Sequence, residues 1–167
     1  MIELIKLLRV DHRLLHGQVA FSWTNSVKAD CILVASDQVV NDDIWKTTLK
    51  LGKPSGVKLV IKNMQDAIEA INGGATDKYN LLIVVQTIDD AYTFTKNCGQ
   101  IKSINLGGTL NKPEYTQISK QIFVSDDQMA MLNELIAMGL EVEARQLANE
   151  PKQIFDAQIK DKKGEKL

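Results

Sequence analysis

The chain predicts an α/β fold: an open, twisted, mostly parallel sheet of about six to seven strands with helices on both faces. Short apolar runs such as Cys31-Ile32-Leu33-Val34-Ala35 and Leu81-Leu82-Ile83-Val84-Val85 alternate with longer stretches whose apolar residues recur at helical spacing. The runs are continuous rather than polar at every second position, which is the signature of strands covered on both faces. No repeat or low-complexity linker interrupts the alternation, so residues 1–157 read as one domain and residues 158–167 as a charged, mobile tail.

Ile2 to Val10 reads as the first strand and Gly17 to Val27 as the first helix. Cys31 to Ala35 follows as a strand. Ser36-Asp37 then turns into a helical segment through Leu51, ended by Gly52, Pro54 and Gly56, with Asn41-Asp42-Asp43 resembling a helix start and Trp45 an anchor one turn inside. Val57 to Ile61 is the third strand. Asn63 caps a helix over Met64 to Ile71, which Gly73-Gly74 ends. Leu81 to Val85 is the fourth strand, and Thr87 and Asp89 introduce a helix to about Cys98. Ser103 to Leu106 makes a fifth strand stopped by Gly107-Gly108, and Gln121 to Val124 a short sixth. Ser125-Asp126-Asp127-Gln128 sets a helix that ends near Gly139, and Glu141 to Arg145 alternates like a half-exposed edge strand.

Composition narrows the function. Twenty basic residues against twenty-one acidic ones leave a net charge of -1, so no global field points to nucleic acid or an anionic membrane. No segment approaches the roughly 18 apolar residues of a membrane span, and the start lacks a secretory pattern, so a cytoplasmic chain without membrane insertion is expected. Cys31 and Cys98 form no Cys-x-x-Cys motif and read as buried free thiols.

The chemistry concentrates in Asp11-His12-Arg13-Leu14-Leu15-His16-Gly17-Gln18-Val19, between the first strand and the first helix. Such a loop lies at the carboxyl end of a strand, where helix-start N–H groups favour anions. An imidazole with its ordinary pKa near 6.5 is largely a free nucleophile at neutral pH and takes a phosphoryl group without a strong base. Arg13 offers a planar fork for two phosphoryl oxygens. Asp11 either fixes a ring tautomer or orients Arg13. Gly17, lacking Cβ, leaves room beside the helix-start amides for a bulky donor.

This loop resembles the Asp-x-Arg-Leu-Ile-His-Gly-Gln-Val motif of the IIB components of the mannose/fructose/sorbose class of bacterial sugar phosphotransferase systems. The resemblance runs from Met1 to about Phe155 and takes in Trp23, Ser36-Asp37 and Asn105-Leu106-Gly107-Gly108. Leu15 replaces the usual isoleucine, and His12 fills a variable position. The resemblance implies that His16 accepts a phosphoryl group from a phosphohistidine of a IIA partner, with Nδ1 as the attacked nitrogen. It further implies transfer to a sugar entering through membrane IIC and IID components, at whose cytoplasmic face the chain associates. A homodimer stays open, and no cofactor is expected.

Other positions carry weaker signals. Gln18, Ser36, Asp37, Thr87, Gly107 and Gly108 are candidates for lining the same crevice, although capping and turn formation account for them equally well. Trp23, two helical turns beyond His16, braces the helix against the sheet or a partner. His12 reads as a solvated loop residue. Two rival functions use the same residues: a non-enzymatic module binding an anion or a sugar phosphate, and a metal-dependent hydrolase through Asp11, His12 and His16. The second lacks the glutamate of a His-Glu-x-x-His site, and Arg13 between the ligands opposes a cation.

Overall fold

The computed structural model describes residues 4–155. Its elements, in chain order, are β1 (Ile5–Asp11), α1 (Gly17–Val27), β2 (Cys31–Ala35), α2 (Asp43–Gly52), β3 (Lys58–Lys62), α3 (Met64–Asn72), β4 (Leu81–Val85) and α4 (Ile88–Asn97). They continue with β5 (Ser103–Gly108), β6 (Thr116–Ser119), β7 (Ile122–Val124), α5 (Asp126–Ala137), β8 (Glu141–Ala144) and β9 (Gln153–Ile154). Seven strands form one sheet in the order β3-β2-β4-β1-β5-β8-β9, all parallel except the β8–β9 pair, while β6 and β7 form a separate antiparallel hairpin. This is the expected α/β class.

Alternation along the strands divides the core into two layers. Leu8, Val10, Leu33, Ile83, Ile104 and Leu106 meet Met64 and Ile71 of α3, Phe94 of α4 and Leu132 and Leu135 of α5 on one face. Leu7, Ile32, Val34, Leu82 and Val84 meet Val19 and Trp23 of α1 and Leu49 of α2 on the other. Adjacent strands β1 and β4 therefore lead into helices on opposite faces. The loops that follow them part company, and a crevice opens at their carboxyl ends.

Local chemistry sets most of the boundaries. Asp42, Asn63, Thr87 and Ser125 each accept a hydrogen bond from the first turn of the helix they precede, and Ser125 with Gln128 completes a capping box. Both cysteines are buried free thiols; burial raises the pKa of each, that of Cys98 to about 11, and leaves them inert.

Four expectations need correction. Ser36-Asp37 does not begin a helix: the Ser36 hydroxyl accepts from Val39 N, a 3-10 turn covers Val39–Asn41, and α2 starts only after Asp42. Gly107 and Gly108 do not stop β5 but belong to it. The segment from Glu141 is not a half-exposed edge: β8 is largely buried between β5 and β9, and its polar residues have buried partners. β6 and β9 went unseen, since a four-residue and a two-residue strand carry too little periodicity to register. The first strand is described from Ile5 rather than Ile2, and the charged tail lies outside the described residues.

Candidate functional site

The loop from Asp11 to His16 is pinned from below. His12 N donates to Gly108 O at 3.0 Å, Leu14 N to Asp11 O at 2.9 Å and Arg13 N to Asp11 Oδ1 at 3.0 Å. Leu14 and Leu15 are buried under α1. Leu14 holds φ +61, a left-handed conformation that costs a residue with Cβ, and its burial holds it there. Gly17 follows at φ +46 with open space where a Cβ would stand, so conformation rather than crowding selects glycine.

Asp11 is the junction. Its carboxylate is 0% exposed, and Oδ2 lies 3.0 Å from Arg9 Nη2 and 2.9 Å from His16 Nε2. Burial alone would raise its pKa; the hydrogen bond with His16, the charge of Arg9 and the Arg13 amide outweigh burial and hold it below the ordinary value. An ionised carboxylate only accepts, so in this contact a neutral His16 ring has its proton on Nε2 and its lone pair on Nδ1. The ring is 25% exposed and Arg13 is 48% exposed, its Nε 3.8 Å from Asp11 Oδ1. Asp11 thus contacts both groups that the sequence left as alternatives, the His16 ring through Oδ2 and the Arg13 amide through Oδ1.

The start of α1 differs from those of the other four α-helices. His16 occupies its N-cap position, but the side chain is turned to Asp11 and caps nothing, and the first turn has no acidic residue. The other four have a capping side chain and an acidic first turn. The N–H groups of Gly17, Gln18 and Val19 have no acceptor within their own helix, and beside Arg13 they favour an anion.

Below Asp11 lies a polar layer that the sequence gives no sign of. Arg9, Asn105 and Glu143 stand side by side on β1, β5 and β8, each at most 2% exposed, and all point toward α1. Arg9 Nη1 donates to Asn105 Oδ1 and to Arg145 O; Asn105 Nδ2 donates to Glu143 Oε1 at 2.6 Å; and Arg145 Nε donates to Glu143 Oε2 at 2.8 Å. Trp23 covers the layer. Arg9 and Arg145 each place Cζ over its ring, at 5.3 and 4.8 Å, and its Nε1 donates to Gln146 O. Trp23 braces the helix against the sheet as expected, through two cations as well as through the aliphatics of its layer.

The remaining candidates scatter. Gly108 faces the loop, near His12 and Asp11, whereas the space beside Gly107 is filled by the guanidinium of Arg9. Thr87 ends the neighbouring strand and caps α4; with His12, Tyr115 and Phe123 it lines a small cavity beside the loop. Ser36 lies one strand further out, and Asp37 accepts from Met64 N at the start of α3. Gln18 is exposed on α1. His12 is half-buried rather than solvated, its Nδ1 shielded and without a hydrogen-bond partner. Among the described residues no group of three or more His, Cys, Asp or Glu is arranged to hold a metal ion, and both Asp11 oxygens are engaged. Arg9 precedes Asp11 by two in a strand, so period-two alternation was the one signal that placed both on one face.

Two measurements check this geometry. In Gly107→Ala the new methyl group would fall on the Arg9 guanidinium, so urea denaturation should show a loss of about 1–3 kcal/mol or failure to fold. The lowered pKa of Asp11 adds stability that is complete above its unfolded value, about 3.9, and is lost as pH falls through the folded value. The stability gap between wild type and Asp11→Asn should therefore narrow as pH falls below about 4; a gap independent of pH would show that Asp11 is not held ionised.

Comparison with known proteins identifies the family and the fold. The model of the sorbose subfamily IIB component of the phosphotransferase system matches residues 5–166. The sorbose-specific EIIB component of Lacticaseibacillus casei is 32% identical over 156 residues, covering 93% of this chain and 95% of that protein. The mannose-specific EIIAB component of Escherichia coli strain K12 is 30% identical over 148 residues, covering 89% of this chain and 46% of that protein. The crystal structure of the IIB domain of the sorbose permease from Klebsiella pneumoniae superposes with a TM-score of 0.83 at 26% identity, covering 89% of this chain and 91% of that one. With the family matched over nearly the whole chain and the same fold, this protein belongs to the sorbose-subfamily IIB components and is a phosphocarrier of a sugar phosphotransferase system.

Proposed function

We propose that His16 is the residue that carries the phosphoryl group and that Nδ1 is the nitrogen that takes it. The observation that carries this reading is the Asp11–His16 contact, which in the neutral ring puts the proton on Nε2 and the lone pair on Nδ1, beside an exposed arginine and an uncapped helix start. The lone pair of Nδ1 attacks the phosphorus of a donor phosphohistidine in line. As the new N–P bond forms, the donor's N–P bond breaks and its electron pair returns to the donor's imidazole. The ring of His16 becomes cationic as Nδ1 gives up its lone pair, and Asp11 at Nε2 meets that charge. Arg13 and the amides of Gly17 and Gln18 hold the equatorial oxygens.

The donor is a IIA protein or domain. The Escherichia coli relative, whose name joins IIA and IIB in one component, supports that partner. The acceptor is the hydroxyl of a sugar presented by membrane IIC and IID components, as the sequence resemblance implies, with this chain docked at their cytoplasmic face. Among the described residues no helix is long and apolar enough to cross a membrane, consistent with a peripheral part.

With phosphorylated IIA protein as donor, wild type should acquire acid-labile, base-stable phosphate with the 31P and 15N shifts of Nδ1-phosphohistidine. His16→Ala should acquire none. Label that survives His16→Ala but vanishes in His12→Ala would move the site to the other imidazole. Arg13→Lys should fold normally, since Arg13 is half exposed, and transfer about a hundredfold more slowly. An unchanged rate would remove the two-oxygen clamp.

A further inference from the structure

The role proposed for His16 explains Asp11 and Arg13 but leaves Asn105 and Glu143 without a purpose. Both are buried polar residues on strands whose neighbouring positions are aliphatic, and a buried ionic layer is a costlier way to fill a core than packed hydrocarbon. Their row runs across three strands and ends on the reacting ring: Glu143, Asn105, Arg9, Asp11, His16.

We propose that Asn105 and Glu143 are positioning residues for phosphoryl transfer: Glu143 fixes the amide of Asn105, Asn105 fixes Arg9, and Arg9 holds Asp11 against Nε2 of His16. The inference rests on His16 as acceptor and deepens that reading. Its logic is directional. Glu143 only accepts, so the nitrogen of the Asn105 amide must face it and the oxygen must face Arg9. Arg9 only donates, so it delivers one amine to Asn105 and the other to Asp11. Asp11 only accepts, so the ring must offer Nε2–H. No hydroxyl interrupts the row, and a flipped amide would set donor against donor on one side and acceptor against acceptor on the other. Trp23 roofs the row, with a guanidinium of Arg9 and of Arg145 against its ring, which shields the bonds from competing water.

Glutamate at position 143 is needed for a specific reason: it receives Asn105 Nδ2 on Oε1 and Arg145 Nε on Oε2, and a glutamine has one acceptor oxygen for those two donors. Glu143→Gln therefore keeps shape and volume while removing the lock.

The test is long-range 1H–15N spectroscopy of the His16 ring in the full chain, paired with transfer kinetics from phosphorylated IIA protein. Wild type should show a single Nε2–H tautomer at neutral pH. Glu143→Gln should show mixed tautomers and a kcat lower by about ten- to a hundredfold, the size usual for groups that orient a reacting residue, with KM for the donor unchanged. Glu143→Asp, which restores two acceptor oxygens, should recover part of both. Folded Glu143→Gln and Asn105→Leu proteins with wild-type ring shifts and kcat would overturn the proposal and leave the row purely structural. Should neither variant fold, the wild-type spectrum decides, because a mixed or Nδ1–H ring would overturn it. Absence of phosphate on His16 of the wild type would instead remove the acceptor reading, and leaves the tautomer result standing.

Discussion

A carboxylate with no exposure to water has to be ionised by its neighbours, and most of the site follows from meeting that requirement at Asp11. Taking one ion out of water costs several kcal/mol even after relaxation, and opposite charge with full hydrogen bonding offsets it. Arg9 supplies the charge, His16 and the Arg13 amide supply the bonds. Arg9 is itself buried, which pulls its pKa down, and Asp11 and Glu143 counter that pull. Glu143 needs Arg145 in turn. Two cations and two carboxylates close the set with no net charge, and the space for it comes from a position without a side chain, Gly107.

The proposed site sits above this layer because of topology. α1 and α4 leave neighbouring strands toward opposite faces, so the loop after β1, with Leu14 and Leu15 tucked under α1, borders the crevice between them. The helix that begins there is the one whose first turn is left uncapped and free of acid. A capping side chain at position 16 would satisfy those amides and contribute about 1 kcal/mol of helix stability. His16 is turned to Asp11 instead, and the positive φ at Leu14 adds a backbone cost. Stability is yielded at the loop and recovered in the packing of Leu14, Leu15 and Trp23 beneath it.

What the sequence made legible follows the physical range of each signal. β2, β4 and α1 were placed to the residue because continuous apolar runs and helical spacing are local, and the caps at Asn63, Thr87 and Ser125 were visible because a cap needs only its own first turn. The grouping of Asp11, Arg13 and His16 was legible for the same reason, since all three lie inside six residues. Contacts between distant residues were hidden. Arg9 and Asn105 are separated by 96 positions and Asn105 and Glu143 by 38, and nothing near Glu143 distinguishes a buried row from an exposed edge. Gly107 reads as a turn until its neighbour across the sheet is known to be an arginine. Parallel strands pair across long intervals, so register, which decides who faces whom, is what a single sequence least reveals.

The division between buried and exposed charge bears on how a carrier works. An acceptor that bound phosphate with every cation in reach would hold it too well to pass it on. Here the nearest buried cation, Arg9, is already neutralised by Asp11, so a phosphoryl group on His16, as proposed, would meet Arg13 and a set of backbone dipoles. Arg13 lies half in water, where each ionic contact is weakened by solvent and salt and each partner protein can reach it. In the proposed transfer, geometry is therefore set below, in a buried and neutral layer, while affinity is set above by groups weak enough to let go. Those two tasks make opposite demands on dielectric, and the chain separates them within the two residues from buried Asp11 to half-exposed Arg13.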